Sequence, residues 1–381
     1  MKQILSFFAI MQKCKTLLVF ICLCNTLVLN SQVSANASLK KNADTVNKKS
    51  LLIFPIIANS IETRLMLGVA GSFTFHLSKT DSNTRTSNLQ SLVAYTLNKQ
   101  FIAAINGAEY FNKEKYILNH QFSYSAFPDK FWGIGNNTPD SAVENYNYHQ
   151  YYIYLHLMRH LGDNLYLGAL YELQNVYNVE YIHGGIFDTE NIAGRNGYLA
   201  SGLGLSFTYD TRNDAFAPDK GWFAQTYFNH FDKVFGSNYN YTNYVVDIRT
   251  FLKIYKRQVL ALQAYWFITD GKEIPFRSLA TFGGYNSMRG YYDGRYRDKN
   301  QYVLQAEYRF PIYKRFGVVV FADCGDVSNT ANSFALNTLK YSYGAGLRFQ
   351  LSKKEKLNLR IDYGIGANNN SGFYLQLAEA F

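Results

Sequence analysis

Between Lys340 and Leu351 every second residue is apolar. Tyr341, Tyr343, Ala345, Leu347, Phe349 and Leu351 share one face of an extended segment; Ser342, Gly344, Gly346, Arg348 and Gln350 share the other. Successive strand side chains point to opposite faces, so this period of two specifies a strand. The next segment repeats it: Leu357, Leu359, Ile361, Tyr363 and Ile365 oppose Asn358, Arg360, Asp362, Gly364 and Gly366. In a soluble sandwich the apolar face would meet a core. Here the polar face carries glycines and charges, and the apolar face is aliphatic with tyrosines at its ends. That is the pattern of a membrane barrel, lipid outside and polar lumen inside.

About sixteen such segments follow one another, an even number as single-chain outer-membrane barrels require. They start near Leu51, Thr63, Asn88, Gln100, Tyr116, Tyr148, Asn164, Tyr198, Gly221, Tyr241, Arg257, Gln301, Arg315, Lys340, Lys356 and Gly372. The connections sort by parity. Even-numbered ones are mostly short and charged, as at Asn112–Lys115, Arg159–Asp163, Tyr255–Arg257, Tyr313–Arg315 and Ser352–Lys356; the exceptions lie near Ser78–Ser87 and Thr211–Lys220. Odd-numbered ones are more often long: Phe127 to Asn147, Tyr181 to Gly197, Gly271 to Asn300 and Ser328 to Leu339. Short periplasmic turns and long outer loops are the expected asymmetry. The fold class is therefore all-β, a membrane-spanning antiparallel barrel of about sixteen strands over residues 51–381.

Composition agrees. Tyrosine (32) and phenylalanine (29) are abundant, and tyrosine suits an interface, apolar body inward and hydroxyl to water. A mean hydropathy of −0.20 argues against a helical membrane protein but not against a barrel with a polar lumen. At the start, Lys13 and Lys15 precede an apolar run from Leu17 to Leu29, and Ala35-Asn36-Ala37 gives a cleavage pattern. Residues 1–37 read as a signal peptide, initiated at Met1 or Met11, and its run is too short to span as a helix. Its removal takes away three lysines and three of four cysteines, leaving Cys324 without an intramolecular partner. Residues 38–50 form a short polar periplasmic tail.

The connection from Gly271 to Asn300 is long enough to expect a function. It holds Phe282-Gly283-Gly284-Tyr285-Asn286-Ser287-Met288-Arg289-Gly290-Tyr291, with glycines for tight turns and an arginine at the centre. The core Met288-Arg289-Gly290-Tyr291 resembles the [VL]-R-G-[FY] motif in the sixth outer loop of the BamA/TamA-type surface-antigen barrels. Other stretches resemble that family in order. Pro55–Thr63 is similar to its first hairpin, with Arg64 where a glycine is common. Tyr209-Asp210-Thr211-Arg212 with Pro218–Gly221 is similar to its Y-D-T-R…P-x-x-G turn, and Ala306–Pro311 and Phe321–Gly325 to the strands after the loop. The ending from Gly372 and Tyr374 to Phe381 resembles the C-terminal insertion signal of such barrels.

The resemblance implies that the loop folds back into the lumen and that Arg289 makes contacts there. Strand parity turns Glu307 and Asp323 inward, so they are the expected partners of Arg289; a guanidinium fork suits paired carboxylates. On its own, an arginine in such a loop would be an ordinary solvated side chain. The implied activity is insertion or export of proteins at the bacterial outer membrane, with outer-membrane lipid and client outer-membrane or secreted proteins as partners. The family's periplasmic POTRA modules have no room in residues 38–50, so a separate periplasmic partner chain is expected to handle clients. The alternative is a passive pore or a structural barrel. No G-x-S-x-G, H-E-x-x-H, Walker loop or C-x-x-C is present, so neither an enzyme, a cofactor nor a metal site is expected. His156 reads as a hydrogen-bonded wall residue. The basic residues show no stacked aromatic groove for nucleic acid.

Overall fold

The computed structural model describes residues 49–77, 84, 86–214, 217–331, 333–352 and 357–381; the leader at 1–37 and residues 38–48 of the tail lie outside the described residues. The first half of the wall is β1 (Ser50–Ser60), β2 (Arg64–Phe75), β3 (Ser87–Thr96), β4 (Phe101–Phe111), β5 (Tyr116–Phe131), β6 (Glu144–Gly162), β7 (Leu165–Glu180) and β8 (Tyr198–Asp210). It continues with β9 (Gly221–Phe231), β10 (Tyr241–Tyr255) and β11 (Gln258–Gly271). Two short strands inside the long loop, β12 (Ala280–Phe282) and β13 (Tyr296–Asp298), form a separate two-stranded sheet. The wall resumes with β14 (Asn300–Tyr313), β15 (Phe316–Ser328), β16 (Lys340–Ser352), β17 (Leu357–Gly366) and β18 (Ser371–Leu377). Apart from β12 and β13, each strand is antiparallel to its neighbours in a closed ring, and β18 returns to β1.

The ring has sixteen strands among the described residues, and each begins within a few residues of where the alternation placed it. The largest departure is at β5 and β6. Their ladder runs on to Phe131↔Glu144, so the connection expected over 127–147 shrinks to residues 132–143. The cause lies in the side chains: Tyr146 and Tyr148 stay buried on the inner face, and an inner face that keeps packing keeps its strand.

The two faces differ as a barrel in lipid requires. Leu203, Leu205, Phe207, Tyr343, Leu347, Tyr363 and Phe373 are exposed around the outside. Their inward neighbours Ser206, Ser342, Arg348 and Asp362 are buried. A water-soluble protein does not carry an apolar belt of this extent. No described helix is long and apolar enough to cross a membrane.

Some inner polar groups pair with one another across nearby strands. His156 Nε2 lies 2.6 Å from Ser206 Oγ, and Gln263 donates to Asp247 at 2.8 Å. At the β1–β2 turn Arg64 adopts φ 52°, the left-handed region, which is why glycine is the easier residue there.

The ring is weakest where it closes. β1 pairs with β2 along its whole length, from Ser50↔Thr74 to Ser60↔Arg64, but meets β18 only at Asn59↔Leu375. The next shortest ladder, β17 with β18, has seven register pairs. β18 stops at Leu377 because the next residues leave the wall. A straight extension would set Glu379 on the outer face with Phe373, Leu375 and Leu377. Ala378 instead takes φ 66°, and the chain turns into the lumen. Along Ser50–Ala58, β1 is thus an edge strand among the described residues, and Pro55, which lacks an N–H to offer a ladder, sits on it.

Candidate functional site

The site is the connection over residues 272–299 and the wall that receives it. Its first part is apolar. Ile274, Phe276 and Leu279 enter a buried core with Phe131, Tyr146 and Tyr148 of β5 and β6, Phe187 and Ile192 of the β7–β8 connection, and Tyr198, Phe231 and Tyr241. The Phe187 ring stacks on Phe131 at 4.6 Å and meets Phe276 edge-on at 5.2 Å. Arg277 donates to Tyr146 and Asp129 at 2.9 and 3.2 Å while lying 3.7 Å over the Tyr148 ring. These contacts fill the long-loop end of the barrel. Sequence reading missed this core; its trace in the sequence is the aromatic run inside what reads as loop.

The second part carries the motif. Met288, Arg289 and Tyr291 are fully buried, and Gly290 has φ 116°. A side chain at Gly290 would lie 2.8 Å from the Gly366 nitrogen, so the motif backbone rests directly on β17. Arg289 Nη1 reaches Glu307 of β14 at 2.9 Å and Asp362 of β17 at 2.8 Å. Its guanidinium lies 3.4 Å from the centre of the Phe321 ring on β15. The expected pair of partners was Glu307 and Asp323. The structure brings Glu307 to the guanidinium but gives the second place to Asp362. Asp323 instead accepts a hydrogen bond from Ser342 at 3.2 Å.

Register explains the seat. Glu307 stands opposite Phe321, Phe321 opposite Gly344, and Gly344 opposite Gly364. That row offers one carboxylate, one flat ring and two bare backbones, which together form a seat for an arginine and its chain. Asp323 is two residues from that row on β15, opposite Gln305, and Asp362 is two residues from it on β17, opposite Gly346. Both flank the seat: Asp362 takes the guanidinium, and Asp323 stays beside Arg289 without a hydrogen bond to its Nη1.

The network is larger than one arginine. Glu307 also accepts from Arg309 at 2.7 Å, and Asp362 pairs with Arg348 at 2.5 Å. Arg348 continues to Glu379 at 2.7 Å, and Asn358 donates to Glu379 at 2.6 Å. Arg360 donates to Asn286 of the loop at 2.8 Å. Arg289, Arg309, Arg348 and Arg360 thus pair with Glu307, Asp362 and Glu379, and Asp323 stands beside Arg289 as a fourth carboxyl. Buried charges without partners are costly, and paired ones define geometry more than they add stability. Here they set where the loop sits.

The remaining motif residues tie the loop to the last strands. Tyr291 donates to the Tyr341 carbonyl at 3.1 Å and accepts from Ala367 N–H at 2.8 Å. Gly290 N–H donates to the Tyr374 hydroxyl at 2.9 Å. Past the motif, Arg295 holds Asp140 and Thr138 in the β5–β6 connection. Gly372 and Tyr374, part of the expected insertion signal, are therefore lumen-side residues of β18, and Tyr374 is a loop contact. Phe381 is buried inside the short-turn end against Phe251, Val259 and Ala261, and Arg309 donates to its carbonyl at 3.0 Å.

The comparisons with known proteins agree with this fold. Residues 67–381 match the model of the Omp85 superfamily domain. None of the curated proteins matches. Among solved structures, BamA from Haemophilus ducreyi lacking POTRA domains 1–3 is similar at a TM-score of 0.56 and 17% identity, over 87% of this chain and 70% of that one. CdiB from Escherichia coli is similar at 0.56 and 12% identity, over 89% and 68%. CdiB from Acinetobacter baumannii is similar at 0.55 and 11%, over 88% and 66%. The structural likenesses establish the fold, and the domain match over most of the chain establishes the family. The chain belongs to the Omp85 superfamily.

Proposed function

We propose that this barrel takes part in inserting proteins into, or exporting them across, a bacterial outer membrane, and that the β1–β18 seam is its working edge. The observation that carries this reading is the single register pair at the seam, Asn59↔Leu375, beside an edge of β1 that has only β2 as partner. Unpaired backbone groups in hydrocarbon cost several kcal/mol each. Such an edge gains by accepting another strand, and a client strand adding to β1 would satisfy it.

The loop supports the reading over a passive pore. Its aromatic half fills the long-loop end, taken as the cell exterior, and its motif half occupies the lumen against β14–β18. A separate periplasmic partner chain for clients belongs to the same proposal. So does the insertion-signal role of Gly372, Tyr374 and Phe381, which concerns the chain before it folds.

Depletion tests the activity. Cells losing this protein should lose many outer-membrane barrel proteins together, measured by quantitative proteomics of isolated outer membranes. Loss of uptake of one solute, with barrel proteins at normal levels, would replace the proposal by the pore reading.

A further inference from the structure

The loop touches both sides of the seam within four residues. On the last-strand side, Gly290 N–H donates to Tyr374 of β18 at 2.9 Å. On the first-strand side, Asp293 N–H donates to Glu62 Oε1 at 2.9 Å. Glu62 lies in the β1–β2 turn, nearly buried, three residues beyond Asn59, the one β1 residue paired with β18. Its backbone carbonyl is fixed by Asn98 and Gln100 of the β3–β4 turn at 2.6 and 3.1 Å, and the turn is braced by Ser60 and Thr63. Its second carboxyl oxygen, Oε2, is buried without a hydrogen-bond partner. Nothing in the sequence pattern singled out Glu62.

We infer that Glu62 is a positioning residue, the clasp by which the loop holds the first hairpin against the last strand where the strands themselves scarcely pair. This deepens the proposed function, since a clasp matters to activity only if the seam opens. It differs from the Arg289 network, which anchors the loop to β14–β17 and never reaches β1.

The chemistry makes the clasp sensitive to pH. Ser60 faces Glu62 from its own hairpin, Asp293, Tyr285 and Tyr292 from the loop, and Tyr374 from β18. Behind Asp293 stand Asp129 of β5 and the loop arginines Arg277 and Arg297. Burial pushes the Glu62 carboxyl from 4.5 up to about 7; the Ser60 hydrogen bond opposes the rise and Asp293 adds to it. Burial also raises Asp293. A carboxyl raised in the docked state binds its proton more tightly there than when released. The clasp is therefore strongest below about pH 4.5, weakens as pH rises towards about 7, and is level above that.

Hydrogen exchange on the full chain in lipid vesicles tests this. After correction for intrinsic rates, amides of β1 and β18 in the wild type should exchange about tenfold faster at pH 7.5 than at pH 5.5, while β6–β8 do not change. Glu62→Gln keeps the acceptor and loses the charge, so it should stay protected at both pH values. Glu62→Ala should exchange fast at both. Wild-type seam amides that do not respond to pH, or Glu62→Gln exchanging fast at both pH values, would overturn the clasp, and neither result depends on Glu62→Ala folding. The two proposals fail separately. Exchange reads the clasp alone, whereas unaltered barrel-protein levels in cells depleted of this protein would remove the activity and leave the clasp standing.

Discussion

Arg289→Ala will undock the loop and leave the barrel standing. The wall is closed by backbone ladders that do not include the loop, so the strands retain their pairing. The loop loses both ion pairs of its guanidinium and the stacking on Phe321. Breaking a buried pair costs about 3–5 kcal/mol when the other charge is left alone. Here Glu307 retains Arg309, and Asp362 retains Arg348 and Arg360. The loss is then near the lower end, about 3 kcal/mol, or roughly a hundredfold more undocked loop.

Trypsin added from the loop end reads it directly. Arg295 and Arg297 are buried when the loop is docked and become cleavable when it leaves. Arg289→Lys should fall between, since an ammonium retains charge but neither the fork nor the flat stack. A variant cut no faster than the wild type would show that the arginine does not hold the loop.

Gly364→Ala should produce much the same result without touching a charge. A side chain at Gly364 would meet the Arg289 carbonyl and lie 2.9 Å from Arg289 Cβ; the first contact is backbone and cannot swing aside. Overpacking of this kind costs about 2 kcal/mol, roughly a thirtyfold rise in undocked loop. The same tryptic nicks at Arg295 and Arg297 should appear, with the folded barrel still resisting denaturation in unheated detergent samples. Protection equal to wild type would mean that the motif backbone does not rest on β17.

These two residues also mark how far the sequence could be read. Alternation exposed the wall because lipid and lumen impose opposite demands on successive side chains, and it set Glu307, Asp362 and Gly364 on the inner face. It carried no information about depth. Which inner residues lie in one row depends on register between strands such as β14 and β15, and register is a property of pairs. Glu307 and Asp323 were therefore expected beside Arg289, as they stand, but Asp362 was not. Phe276, Arg277 and Glu62 were missed for a related reason: they act in connections, where no period exists. The bend at Ala378 was half legible, since Glu379 breaks the apolar face, but its landing place beside Arg348 and Asn358 needed the folded lumen.

The seam is the centre of the account, and a reversible lock tests it. Asn59 and Leu375 are register partners, and facing residues of an antiparallel pair stand close enough for a disulfide. Asn59→Cys with Leu375→Cys, in a Cys324→Ala background, should close the seam under oxidation. In cells that carry only this variant, outer-membrane barrel proteins should fall as they do on depletion, and return when a reductant opens the bond. Normal levels of those proteins with the bond fully formed would contradict the account, because the barrel would then be working with its seam shut.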